Sequence, residues 1–181
     1  MSVSGVLLVG GASRRFGSPK ALARFRGQTL AERAWEALAW CDERIAVGKL
    51  GGPELPFPVL DDGSDLPAPI FGVIAALRTA RNDVCVILPV DCPLVGKAEL
   101  RALAEACRDA AVPQTGPLPG AYRRSAVSVV ERRLVAGHLA LREALAELDV
   151  AVVELDEARL ANVNTPAELA ALEKVGFSSE Y

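Results

Sequence analysis

Four short segments carry residues that could do chemistry. The apolar run Val6-Leu7-Leu8-Val9 ends in Gly10-Gly11, and Ser13, Arg14, Arg15, Gly17 and Lys20 follow within ten residues. Glycines let a backbone turn sharply and aim N–H groups at an anion, and Arg14, Arg15 and Lys20 add positive charge at the same place. The whole chain carries a net charge of −3, so a local cluster of cations reads as a built anion site. The segment is neither Walker A, because Lys20 is followed by Ala21, nor the G-x-G-x-x-G dinucleotide turn, because Gly10, Gly11 and Gly17 are wrongly spaced. A strand-to-helix turn with solvated arginines is the plainer alternative.

Asp91 follows the strongest strand signal, the continuous apolar run Val84-Cys85-Val86-Ile87-Leu88, in the sequence Pro89-Val90-Asp91-Cys92-Pro93. An aspartate beyond the carboxyl end of a central parallel strand sits where open α/β sheets bind ligands. Mg2+ takes one or two carboxylates and completes its shell with water and substrate phosphates, so one aspartate is chemically sufficient. A cap on the following helix explains the same residue. Asp61-Asp62 and the pair Asn162 and Asn164 are the remaining polar groups at predicted element ends.

These residues need a scaffold, and the pattern supplies one. Short apolar runs at 6–9, 44–47, 57–60, 84–88 and 150–155 read as strands. Helical spacing is expected at about 30–40, 70–80, 97–110, 139–148 and 166–175. Thr29 and Glu32 form a capping-box pair, and Thr165 with Pro166 forms a second helix start. Proline and glycine break the pattern from 112 to 120, and 126–130 fits a strand or the start of a helix equally well. Alternating strands and helices predict one domain over 1–181, a three-layer α/β/α sandwich built from parallel βαβ units.

Composition removes several classes of function. A net charge of −3 argues against general nucleic-acid binding. Four cysteines without a C-x-x-C pair, and a single histidine, provide no zinc-type ligand set. Free thiols, no basic apolar leader and no apolar stretch near ~20 residues predict a soluble cytoplasmic protein without a membrane segment.

With the spacing in view, Leu8-Val9-Gly10-Gly11-x-Ser13-x-Arg15-Phe16-Gly17-x-x-Lys20 resembles the L-A-G-G-x-S-x-R-M-G-x-x-K signature of small nucleotidyltransferases, most closely the molybdenum cofactor guanylyltransferases. Pro89-Val90-Asp91-Cys92-Pro93, Pro67-Ala68-Pro69-Ile70-Phe71-Gly72 and Asn162-Val163-Asn164-Thr165-Pro166-x-Glu168-Leu169 resemble later family motifs in order, so the likeness runs from Gly5 to about Leu172. It implies a Rossmann-like, mostly parallel sheet of the nucleotidyltransferase type and transfer of GMP from MgGTP to the phosphate of molybdopterin, with release of pyrophosphate.

The resemblance also assigns roles. Leu8, Val9, Gly10, Gly11, Ser13, Lys20, Asp62 and Asp91 would contact the nucleotide, with Asp61 the weaker neighbour of Asp62. Arg15, Lys20 and Asp91 would be catalytic, Asp91 would hold Mg2+, and Asn162 and Asn164 would bind molybdopterin. Transient contact with cofactor-biosynthesis proteins or molybdoenzymes is implied as well. Tyr122, Arg123 and Arg124 resemble a segment near the second substrate.

Two positions depart from the family pattern: Pro19 replaces a common aspartate, and Gly48 replaces an asparagine found in some members. Asn164, where cytidylyltransferases of this fold often carry aspartate, and Gly10-Gly11 favour GTP over CTP. A CTP-using enzyme of the same fold, and a nucleotide-binding adaptor without turnover, are the alternatives.

Overall fold

A computed structural model describes residues 1–10 and 16–174. In chain order its elements are β1 (Val3–Leu8), β2 (Arg24–Phe25), β3 (Gln28–Thr29), α1 (Leu30–Ala37), β4 (Glu43–Gly48), β5 (Val59–Asp61), α2 (Pro69–Thr79) and β6 (Val84–Pro89). Then come α3 (Lys97–Ala106), β7 (Ala110–Pro113), β8 (Gly120–Arg123), α4 (Val127–Val135), α5 (Leu141–Leu145), β9 (Val150–Val153) and α6 (Pro166–Lys174). Seven strands form one sheet in the order β5-β4-β1-β6-β8-β7-β9. All neighbouring pairs are parallel except those made by β8, which runs antiparallel to β6 and β7.

Strand periodicity builds both faces of the core. Val3 and Leu7 of β1, with Val84, Val86 and Leu88 of β6, face the layer containing Leu30, Ala34 and Leu38, Leu100 and Leu103 of α3, and Leu169 of α6. Val6 and Leu8, with Cys85 and Ile87, face the opposite layer of Ile70, Val73, Ile74 and Leu77 of α2, Val130 of α4 and Leu141 of α5. The central strands are apolar on both sides because helices cover both sides. Among the described residues, no helix is long and apolar enough to cross a membrane.

The capping box predicted at Thr29 is present: Glu32 donates its N–H to Thr29 Oγ1 at 3.1 Å, and its carboxylate accepts the Thr29 N–H at 2.8 Å. Two predictions need correction. The helix expected over 97–110 stops at Ala106, and 110–113 becomes strand β7. Within the stretch after it, β8 forms where only a break and an arginine-bearing loop were expected. The ambiguous 126–130 segment is helical, a 3₁₀ turn running into α4. The β2–β3 hairpin was also unforeseen; its turn is Arg26-Gly27, both with positive φ, 50° and 88°.

Candidate active site

The parallel strands β5, β4, β1 and β6 all end on one edge of the sheet, and the candidate residues gather there. Connections leave β1 toward β4 on one side, while the chain later returns to β6 on the other, so β1 and β6 border the crevice where such sheets bind ligands. The ends of these two strands are fastened together: Val90 donates its N–H to Leu8 O at 3.0 Å. A cavity of about 940 Å³ opens over this edge.

Lys20 reaches the crevice from a 3₁₀ turn, Lys20–Leu22, which begins directly after Pro19. Proline fits at the head of such a turn because its fixed φ is already compatible and its missing N–H is not needed there. Lys20 Nζ lies 3.3 Å from Asp91 Oδ2 and 3.2 Å from Asn164 Oδ1. Residues 20, 91 and 164 therefore meet although 144 positions separate the first from the last. Asp91 is partly buried, its side chain 27% exposed, which leaves an oxygen face for a cation or ligand. Cys92 donates its thiol to Asp91 Oδ1 at 3.7 Å; burial, reinforced by the Asp91 charge, pushes that thiol's pKa far up and keeps the proton on sulfur.

The asparagine segment is held by backbone bonds. Val163 donates its N–H to Asp91 O at 2.8 Å, with its side chain buried between two exposed asparagines. Thr165 Oγ1 accepts the Glu168 N–H at 3.2 Å, as a helix cap should. The Glu168 carboxylate does not close the box on Thr165; it reaches one residue further back, to the Asn164 N–H at 2.6 Å. Asn162 and Asn164 both line the cavity.

The other wing of the cavity lies over β4 and β5. Asp62 follows β5 and donates its N–H to Gly48 O at 2.9 Å. Its side chain is 6% exposed and is paired with Lys49 at 2.8 Å. Lys49 went unnoticed in the sequence, where a lysine after a short strand carries no local signal. Opposite this wing, Thr115 to Leu118 and Leu139 to Arg142 close the cavity.

Not every predicted site residue faces this space. Leu8, Gly10, Lys20, Asp62, Asp91, Asn162 and Asn164 line it. Val9 and Asp61 do not line it; Val9 packs against the core layer that contains Leu7 and Leu88, its Cγ2 beside Gly48. Gly11, Ser13, Arg14 and Arg15 lie outside the described residues. Tyr122 is fully buried, its hydroxyl donating to Pro117 O, and Arg123 pairs with Asp83 at the far end of β8. These two do not line the cavity because β8 turns their segment into sheet, and neither does Arg124, which opens the 3₁₀ turn after it.

A comparison with family models matches residues 5–152 to the MobA-like NTP transferase domain. The chain belongs to that family. This transferase chain is 34% identical to the probable molybdenum cofactor guanylyltransferase of Deinococcus radiodurans, the match covering 99% of this chain and 98% of that one. It is 32% identical to the molybdenum cofactor guanylyltransferase of Pseudomonas syringae pv. syringae, over 91% and 90% of the two chains. Its fold is similar to molybdopterin-guanine dinucleotide biosynthesis protein A from Archaeoglobus fulgidus, with a TM-score of 0.78, 25% identity, and coverage of 95% and 97%. A cytidylyltransferase acting on 2-C-methyl-D-erythritol 4-phosphate, from Thermus thermophilus, shares the fold at 20% identity and a TM-score of 0.75, covering 93% and 96%.

Proposed function

We propose that this MobA-like transferase moves GMP from MgGTP to the terminal phosphate of molybdopterin. The observation that carries the reading is the meeting of Lys20, Asp91 and Asn164 at the strand edge, on the wall of a cavity of about 940 Å³. The near full-length relatives named as molybdenum cofactor guanylyltransferases supply the identity of both substrates.

An oxygen of the acceptor phosphate attacks the α-phosphorus, the bond to the bridging oxygen breaks, and pyrophosphate leaves with that electron pair. No covalent enzyme intermediate is needed, so the protein contributes positioning and charge compensation. Lys20 would release Asp91 and Asn164 to bind the triphosphate, whose oxygens offer its ammonium better partners. Arg15, with N–H groups of Gly10, Gly11 and Ser13, would complete the phosphate cradle. Asn162 and Asn164, which both donate and accept hydrogen bonds, would seat the pterin-bearing substrate.

Asp91 is the residue that would hold Mg2+. The donor set fits: one exposed carboxylate face in a cavity, with phosphates and water completing the shell. When bound, the ion supplies compensation for negative charge developing on the transferring group and the leaving pyrophosphate.

Purified protein tests the reading. Pyrophosphate should appear with MgGTP and molybdopterin together and with neither alone. MgGTP should raise the melting temperature more than MgCTP at equal concentration, because a ligand that binds the native state stabilises it more the tighter it binds. The reverse order of stabilisation would move the assignment to a cytidylyltransferase, and binding without pyrophosphate release to an adaptor.

A further inference from the structure

We infer that Lys49 is a positioning residue for base recognition, acting through Asp62. This rests on the proposal that the cavity binds a guanine nucleotide. Lys49 Nζ donates to three acceptors: Asp62 Oδ1 at 2.8 Å, Ser64 O at 2.5 Å and Leu66 O at 2.8 Å. An ammonium group has three donors, so all of them are spent on one short stretch of chain. The same cation lies 5.7 Å from the ring centre of Phe71 on α2.

The consequence is a strap. Residues 62–66 have no regular structure and would otherwise be an exposed loop. Lys49 ties both ends of that loop to the end of β4, and Asp62 reinforces it by accepting the Ser64 N–H at 3.0 Å. The tied loop leads directly into Pro67, Ala68 and Pro69, which line the cavity and open α2. Lys49 and Asp62 line it too.

Asp62 cannot hold this place alone. At 6% exposure its charge is nearly removed from water, and such a carboxylate needs a counter-charge and hydrogen bonds. With Lys49 and Ser64 supplying them, its remaining lone pairs are fixed in direction. A fixed, charged acceptor is suited to the N1–H and 2-amino group of guanine. Lys49 is thereby the residue that makes Asp62 selective.

Position 48 explains why the duty falls to residue 49. A Cβ on Gly48 would lie 2.7 Å from Val9 Cγ2 and 3.1 Å from Val59 Cγ1, so any side chain there must displace Val9. The nearest residue able to send a polar group over β5 is the next one.

The test compares equilibrium binding of MgGTP and MgITP, which lacks only the 2-amino group, to wild-type, Lys49→Met, Asp62→Asn and the double variant. Wild-type protein should prefer MgGTP by about tenfold or more, because a site built around a buried acceptor rejects a ligand lacking the matching donor. Lys49→Met should reduce that preference to about threefold or less and raise KM for MgGTP, with kcat changed no more than about twofold. Lys49→Arg should recover part of the preference. The double variant should equal the weaker single variant, since one residue acts through the other.

Lys49→Gln gives the same comparison if the methionine variant does not fold. An unchanged GTP-to-ITP ratio in Lys49→Met, or additive losses in the double variant, would overturn the inference. So would equal affinity of wild-type protein for the two nucleotides. Wild-type protein that binds neither would instead overturn the guanylyl reading itself.

Discussion

Val163 donates its backbone N–H to the carbonyl of Asp91 at 2.8 Å, joining the segment before α6 to the end of β6. Because this bond is between main chains, it sets the position of both neighbouring asparagines whatever their side chains do. It places Asn164 where its Oδ1 can accept from Lys20, and so completes a cluster drawn from three distant parts of the chain. The buried Val163 side chain anchors the same segment to the core, so packing and hydrogen bonding act at one point.

Loss of either charged member of that cluster should cut turnover with little effect on folding. Asp91→Ala and Lys20→Ala are each expected to lower pyrophosphate release by about tenfold or more, from lost charge compensation at the transferring phosphate. Both residues sit on a cavity wall and not in the core, so urea unfolding midpoints should move little. Normal turnover in both variants would sink the site assignment.

Glu168→Ala separates loop placement from catalysis. The substitution removes the carboxylate that accepts the Asn164 N–H at 2.6 Å. The stability cost should be about 0.5–1 kcal/mol, typical of an exposed capping interaction. Turnover should fall more than stability does, because Asn164 then loses its fixed distance to Lys20. A variant with reduced stability but wild-type kinetics would show that this bond serves α6 only.

Gly48→Ala should cost about 1–3 kcal/mol, the usual penalty for overfilling a packed site. The new methyl would meet Val9 Cγ2 at 2.7 Å. Adding Val9→Ala should return at least half of the loss, a non-additive pair measurable by chemical denaturation. Strictly additive effects would show that the clash is relieved elsewhere.

Alkaline pH should weaken the fold through its buried thiols. Burial raises the pKa values of Cys85 and Cys41 from 9.0 to about 12. Between those values the native state holds protons that the unfolded chain releases, so stability is complete below pH 9 and falls as pH rises toward 12. Unfolding free energy measured between pH 8 and about 10.5 should decline less steeply in Cys85→Ala than in wild-type protein. An identical slope would remove Cys85 from that dependence.

Much of the scaffold was legible because it rests on local rules. The Thr29–Glu32 box, the doubly apolar strands β1 and β6, and Thr165-Pro166 opening α6 each follow from periodicity or from capping chemistry within a few residues. The glycine-rich turn and Asp91 stood out for the same reason: an apolar run ends, and polar residues with binding chemistry follow. Where non-local pairing decides, those rules fail. Ala110, Ala111 and Val112 read as helix end and break, yet they form a strand because β8 and β9 supply partners on either side.

The sequence by itself determined the class of fold, the glycine-rich segment after the first strand, the aspartate beyond the central strand and the family resemblance. Only the tertiary structure decided which of these residues meet. It brought Lys20, Asp91 and Asn164 together, turned Tyr122 into the core and set Arg123 against Asp83, and gave Asp62 a partner in Lys49. The physical reason is that residue type and spacing encode burial and local backbone preference. A contact across 71 or 144 positions depends on strand order and on the backbone bonds that fasten one segment to another.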